Sequence, residues 1–339
     1  VTQYRVAILG ATGAVGSELL RLLDEREFPV AAIRLLASPR SQGKALSFRG
    51  DHLPVMAVSE SSFEGVDIAF FSAGAEAARK WSPVAQEAGA TVIDNSSAFR
   101  LEPNVPLIIP EINWHKAREE IKYYPVGNCT GIILAMTLAP LRKFGRFRRI
   151  VVSTYQSASG AGARAMRELE EQARAFARGE ELHAEALPYP ILFNLFSHNS
   201  PINEHGYNEE EWKVIREVRK VLEQPELPIE VTSVRVPVQR AHSMSVNVEF
   251  DCPAPSVEAV REAVQAFPGL ELVDDRAANR FPMPMLAGGR DPVLVGRIRR
   301  DISNPNALSL FSCGDQLRKG AALNAIQIAE KLVESGYLM

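Results

Sequence analysis

A short apolar run, Tyr4-Arg5-Val6-Ala7-Ile8-Leu9, is followed at once by Gly10-Ala11-Thr12-Gly13-Ala14-Val15-Gly16, and then by Leu19, Leu20, Leu22 and Leu23 at helical spacing. Strand, glycine-rich turn and helix in that order leave few folds open. They begin a doubly wound, mostly parallel α/β sheet of the Rossmann kind, which binds a dinucleotide at this turn. In the G-x-x-G-x-x-G spacing, Gly10 permits the tight turn. Gly13 lets the backbone approach a pyrophosphate, and Gly16 lets helix and strand pack closely.

The second strand, expected over residues 33–37, selects the cofactor. An NAD site usually sets Asp or Glu at the end of this strand, on the ribose 2′-hydroxyl. No acidic residue stands between Val30 and Arg49, whereas Ser38, Arg40, Ser41 and Lys44 do. Hydroxyls and cations suit a 2′-phosphate, so NADP is the expected cofactor. The plainer alternative is a solvated basic loop.

Further on, residues 66–74 read as a strand, and Ser82-Pro83 as the cap and first position of a helix. Residues 91–100 read as a strand leaving into a polar loop closed by Arg100, and residues 107–113 as a strand and turn. Loops at the carboxyl ends of such strands line the ligand crevice. Then comes Pro125-Val126-Gly127-Asn128-Cys129-Thr130-Gly131, followed by an apolar run at 132–136. This is a loop delivering a thiol to a helix start, where free N–H groups and the helix dipole favour the thiolate. Taken alone, the same cysteine fits a small buried hydrophobe better.

Beyond residue 140 the character changes to α+β. A strand over 149–156 ends at Gln156 and runs into a flexible Ser/Gly/Ala loop. Met166, Leu169, Ala173 and Phe176 recur as an amphipathic helix. Residues 183–208 show no period and are expected to be irregular. Glu209-Glu210-Glu211-Trp212-Lys213 opens a helix whose early acids suit its dipole. Arg235 precedes a half-buried strand that starts at His242 and continues through Met244, Val246, Val248 and Phe250. Val257, Val260, Val264 and Phe267 mark another helix. Residues 317–333 mark the last, apolar at Ala322, Ile326, Ala329 and Val333.

At 339 residues the chain is long for one core, so two domains are expected. A formal net charge of -3 argues against a nucleic-acid binder. The cysteines at 129, 252 and 313 are too scattered for a disulfide framework, and no Cys/His metal spacing occurs. No metal is therefore expected, and a reducing, cytoplasmic setting fits best. No apolar run approaches the roughly 20 residues that span a bilayer, and with a strand starting near Tyr4 neither a membrane span nor a signal peptide is expected.

In their order and spacing, these motifs resemble the aspartate-β-semialdehyde dehydrogenase family over essentially the whole chain. The resemblance rests on the glycine turn, Asn95-Ser96-Ser97-Ala98-Phe99-Arg100, Pro110-Glu111-Ile112-Asn113, Gly127-Asn128-Cys129-Thr130, and Arg235 with His242-Ser243. It implies Cys129 as nucleophile, His242 as acid/base and Gln156 as the amide that orients the intermediate. It implies Arg235 on the substrate carboxylate and Glu210 on its amino group, with Glu209 and Glu211 left as alternatives. Phosphate falls to Arg100, Lys213 and Asn128. Cofactor contacts fall to Gly10, Thr12, Gly13, Ala14, Val15, Gly16, Ser38, Arg40, Ser41, Ser72, Gly160 and Asn324. Ser233 departs from the cysteine that relatives often carry two residues before the substrate arginine.

The implied architecture is a nucleotide domain of residues 1–128 with 320–339, and a catalytic and dimerisation domain of residues 129–319. A homodimer, or a dimer of dimers, is the implied assembly. The implied reaction is NADPH-dependent reduction of β-aspartyl phosphate to aspartate β-semialdehyde through a cysteine thioester, in the lysine, threonine and methionine branch of biosynthesis. Two rivals stand beside it. N-acetyl-glutamyl-phosphate reductase does the same chemistry on an acetylated substrate, whose uncharged nitrogen gives a glutamate nothing to meet. A non-catalytic NADP-binding paralogue would be expected to have lost the thiol or the base.

Overall fold

The computed structural model describes residues 2–338. The chain divides into two compact units: one runs to Asn128 and resumes at Ala321, and the other is Cys129–Gly320. In the first unit, β1 (Tyr4–Leu9) leads through the glycine turn into α1 (Ala14–Glu25) and β2 (Val30–Ala37). A hairpin of β3 (Ala45–Phe48) and β4 (Asp51–Ala57) follows. Then come β5 (Ile68–Phe71), α2 (Ala75–Glu87), β6 (Thr91–Asp94), one helical turn α3 (Pro110–Asn113), and β7 (Tyr123–Pro125). The sheet order is β3-β4-β2-β1-β5-β6-β7, parallel except for the hairpin. The chain builds to one side of β1 and then to the other, so the glycine turn lies at the topological switch point. β5 and β6 are buried at every residue, as parallel strands covered on both faces must be.

Two expected elements of this unit differ. Ser82-Pro83 does not begin a helix, because α2 starts at Ala75 and runs through Pro83. The buried positions Ala78, Ser82 and Ala85 keep one continuous face, and the Ser82 hydroxyl donates to the Ala78 carbonyl one turn back. Residues 107–109 are buried but belong to no strand. Asparagine side chains replace sheet partners there. Asn113 accepts from Ile109 N–H at 2.9 Å and donates to the Leu107 carbonyl at 2.9 Å. Asn324 donates to the Ile108 carbonyl at 2.9 Å. The buried backbone is satisfied without a ladder.

The second unit contains α4 (Cys129–Leu138), β8 (Phe147–Gln156), α5 (Ala163–Ala177), β9 (Phe196–Ser197), α6 (Glu209–Val221), β10 (Ile229–Arg235) and β11 (His242–Phe250). It continues with α7 (Val257–Ala266), β12 (Leu270–Leu272), α8 (Pro284–Ala287), β13 (Val293–Arg300) and β14 (Ala307–Gly314). Its sheet is mixed, in the order β12-β13-β14-β11-β8-β10-β9. α4 is buried from Thr130 to Leu138 and packs against α6. The sheet face carrying Ser153, Tyr155, Ser245, Asn247 and Phe311 is only half covered, and Tyr155 is 40% exposed.

The apolar period identified α5 but not its inward face. Ala165, Glu168, Leu169 and Gln172 are buried, whereas Phe176 is exposed. The two polar side chains turn inward because the irregular segment beside them has backbone groups to satisfy. Glu168 accepts from Glu185 N–H at 2.7 Å and also from Ala186 N–H. Gln172 accepts from Ile191 and Leu192 N–H, both at 3.0 Å. At the end of this unit, a π-helical turn (Arg318–Ala322) runs directly into α9 (Leu323–Glu334), matching the helix expected from residue 317, and α9 packs in the first unit against α1 and α3. Arg26 pairs with Glu330 there at 2.7 Å.

Candidate active site

Register brings the key residues of the second unit to one end of its sheet. β8 and β10 run parallel and finish together, with Gln156 opposite Arg235. β11 runs the other way and starts at that end with His242, opposite Gly314 at the close of β14. The contacting helices α4 and α6 begin with Cys129 and with Glu209, Glu210 and Glu211. Cys129 is half-buried, in no disulfide, at the first position of α4, where backbone N–H groups are unspent by the helix. A Cβ on Gly320 would come 2.9 Å from Cys129 Cβ, so that glycine makes room for the cysteine.

Hydrogen bonds separate the three glutamates. Glu211 belongs to the capping box: Asn208 accepts from Glu211 N–H at 2.9 Å, and Glu211 accepts from Asn208 N–H at 3.0 Å. Its other oxygen accepts from Ser233 N–H at 2.8 Å. Glu209 faces outward and pairs with Lys213 at 2.6 Å. Glu210 alone of the three bonds to the residues around the thiol. Its carboxylate accepts from Gln156 Nε2 at 3.0 Å and from the Thr130 hydroxyl at 3.5 Å. Gln156 also donates to Thr130 at 2.9 Å. Thr130 was legible only as part of the cysteine motif; the structure bonds it to both Gln156 and Glu210.

Arg235 is 2% exposed, and its guanidinium donates to the Ser157 carbonyl at 2.7 Å. Its Nε is buried with no partner, and among the described residues no carboxylate ion-pairs with it. Burial lowers its pKa, opposed by the nearby charges of Glu210 and Cys129. A buried guanidinium with an unused donor beside a thiol could hold an anion. His242 is fully buried, and its Nδ1 accepts from Ser157 N–H at 3.1 Å. Burial first, then the positive field of Arg235 and His198, holds its pKa well below the usual histidine range. His198, from the segment without a sequence period, is a residue that the sequence reading missed. Its own pKa is lowered chiefly by burial, and it lies in the field of Glu210, Arg235, Lys213 and Glu209.

In the first unit the glycine turn is open where a cofactor would need it. Gly10 has φ +90°, and a Cβ there would press on Ser72. A Cβ on Gly16 would collide with the Gly10 carbonyl. Gly13 caps α1 with no side chain over the helix N-terminus, with Ala14 and Val15 following as its first residues. The Ser72 hydroxyl donates to the Gly10 carbonyl at 3.3 Å. Thr12 donates to Ser41 at 3.4 Å, joining the turn to the exposed Ser38–Arg40 segment. These residues fit a dinucleotide: a bare helix N-terminus for pyrophosphate and a basic, hydroxyl-bearing loop beside it. Arg100 is buried and donates to the Asn95 carbonyl at 2.8 Å, in the field of Asp94, and Asn128 is buried too. Asn324 bonds to backbone, as described above. Gly160, in the second unit, lies under His242: a Cβ there would be 2.8 Å from its Cε1.

A nucleotide-binding sheet joined in one chain to a unit with an acidic and a cationic side chain around a helix-terminal thiol defines an NAD(P)-linked oxidoreductase of the aldehyde type. Comparison with known families agrees. Residues 5–120 match the semialdehyde dehydrogenase NAD binding domain, and residues 138–319 match the semialdehyde dehydrogenase dimerisation domain. A Synechocystis aspartate-semialdehyde dehydrogenase is 54% identical, covering 98% of each chain. That of Bacillus subtilis is 41% identical, covering 96% of each. The crystal structure of Vibrio cholerae aspartate semialdehyde dehydrogenase II complexed with ASA superposes with a TM-score of 0.94 at 40% identity, covering 98% of this chain and 99% of that one. This chain belongs to the aspartate-semialdehyde dehydrogenase family.

Proposed function

We propose that this chain interconverts β-aspartyl phosphate and aspartate β-semialdehyde, using NADP and a Cys129 thioester. The observation that carries this reading is the pairing of opposite charges around the thiol: buried Arg235 for a carboxylate, and Glu210 for an ammonium. An α-amino acid presents both groups on one carbon. An acetylated substrate would leave Glu210 without a cation, which disfavours the longer acyl-phosphate rival.

In the oxidative direction the Cys129 thiolate adds to the aldehyde carbonyl, forming a C–S bond and a hemithioacetal. Gln156 orients that adduct, and His242 gives and takes the proton at its oxygen. A bound nicotinamide cofactor supplies the hydride exchange at the same carbon. Cys129 then carries the acyl group as a thioester. Phosphate attack breaks the C–S bond, releases acyl phosphate and returns the thiolate. Lys213 is assigned to phosphate, as is Arg100, with Asn128 beside the nucleophile. The biosynthetic direction reverses these steps.

Ser38, Arg40 and Ser41 support NADP over NAD, because only the 2′-phosphate needs cations and hydroxyls at the end of β2. Residues up to Asn128 with the returning α9 are assigned to the cofactor, and Cys129–Gly320 to catalysis and self-association. The half-covered sheet face bearing Tyr155 and Phe311 supports a homodimer. The test of function is NADP reduction by the purified protein with aspartate semialdehyde, in the presence and absence of phosphate. Phosphate-dependent reduction is expected. Reduction that ignores phosphate, or none at all, would rule the reading out.

A further inference from the structure

The backbone just before His242 and the Ser157–Ser159 loop against its ring are tied together by one side chain outside the proposed reacting groups. Ala241, directly before the histidine, has φ +75°. This left-handed region is rarely adopted by an alanine, and it persists only when the surroundings fix it. Ala241 N–H donates to Gln316 Oε1 at 2.9 Å. The other end of the same carboxamide donates to the Ser159 hydroxyl. Ser159 Oγ is 2.9 Å from Ser157 Oγ, and Ser157 presents its N–H to His242 Nδ1 at 3.1 Å. Gln316 is 2% exposed. Its neighbour Asp315 grips the preceding residue, accepting from Arg240 Nε at 2.6 Å.

We propose that Gln316 is a positioning residue for His242, clamping Ala241 and the Ser157–Ser159 loop together so that the imidazole keeps one orientation and one tautomer. This deepens the proposed function and rests on His242 being its acid/base group. A backbone N–H can only donate, so Nδ1 is the acceptor and the neutral ring carries its hydrogen on Nε2. Nε2 is buried without a partner. Any side chain at Gly160 would press on it, since a Cβ there would be 2.9 Å away. The nitrogen that carries the mobile proton is thus set by Ser157, whose N–H at 3.1 Å and hydroxyl at 3.0 Å both meet Nδ1, and the clamp that maintains those contacts is the Gln316 amide. Without the clamp, Ala241 can relax out of the left-handed region and carry the start of β11 with it.

The test uses Gln316→Met, which keeps length and removes both hydrogen bonds. It should lower kcat by about 10- to 100-fold, leave KM for semialdehyde and phosphate unchanged, and leave the alkylation rate of Cys129 unchanged. Adding Ala241→Gly should recover part of the lost kcat, because glycine occupies positive φ without strain. Imidazole ¹⁵N spectra should show His242 with hydrogen on Nε2 in the unaltered protein, and a tautomer mixture in Gln316→Met. An unchanged kcat, a loss that Ala241→Gly does not lessen, or hydrogen on Nδ1 in the unaltered protein would overturn the proposal. If the unaltered protein lacks the dehydrogenase activity, the proposed function fails, while the imidazole spectra still decide whether Gln316 sets the tautomer.

Discussion

Gln156 Nε2 donates to Glu210 Oε1 at 3.0 Å, so the end of β8 and the first turn of α6 share one hydrogen bond beside the thiol. That bond selects one glutamate from three adjacent ones. Glu210→Gln should raise KM for aspartate semialdehyde, because a neutral amide no longer attracts the substrate ammonium. Glu209→Gln should change it far less. Glu211→Gln should instead lower stability by about 1–3 kcal/mol, measured by denaturant unfolding, because an amide has one acceptor oxygen where Glu211 uses two, for the Asn208 and Ser233 N–H groups. A larger KM effect at position 209 or 211 would move the amine site.

The expected cofactor preference can be tested within the first unit. Arg40→Ala with Ser38→Ala should weaken NADP binding by about 1.5–3 kcal/mol per lost charge-assisted contact, and NAD binding much less. Titration calorimetry with both cofactors gives the comparison. Equal losses would remove the 2′-phosphate from this loop.

Arg235→Lys keeps the charge and loses the planar fork that meets a carboxylate with two bonds. It should raise KM for the semialdehyde and for aspartyl phosphate alike. Lys213→Ala should raise the KM for phosphate most. The reverse pattern in steady-state kinetics would exchange the two ends of the substrate.

His242 contributes a defined pH dependence of stability. Its pKa is lowered on folding by burial, then by Arg235 and His198. The unfolded chain therefore takes up a proton as pH falls below the unfolded histidine value, about 6.5, while the folded chain does not. Stability from this residue is complete above that pH and is lost as pH falls toward the folded value. His242→Asn should flatten the decline in unfolding free energy on the acid side. His198, lowered in the same direction, should retain a part of it. An equally steep decline in the variant would show that His242 is not the group responsible.

The legible parts of this chain were those whose signal is local. The strand, glycine turn and first helix follow one another within a few residues, and Cys129 opens an apolar helix directly after its loop. What was not legible depends on distant partners. Residues 107–109 look like a strand, yet Asn113 and Asn324, the latter 216 residues beyond Ile108, take their backbone bonds. The inward face of α5 is set by unpaired amides of a segment with no period. The three glutamates are chemically identical in sequence and differ only by what β8 and β10 place beside them. The partners of His242 come from Ser157, 85 residues away, so nothing near the histidine announces them.

The most direct measurement of the central claim is mass spectrometry of the protein quenched in acid after mixing with aspartyl phosphate, without reduced cofactor. One aspartyl group should appear on the peptide containing Cys129, and none on Cys252 or on Cys313, whose thiol burial pushes up to about 12. Cys129→Ser should show no thioester, and adding NADPH should discharge the adduct as aspartate semialdehyde. Turnover with the acyl group on another residue, or turnover undiminished in Cys129→Ser, would contradict the account.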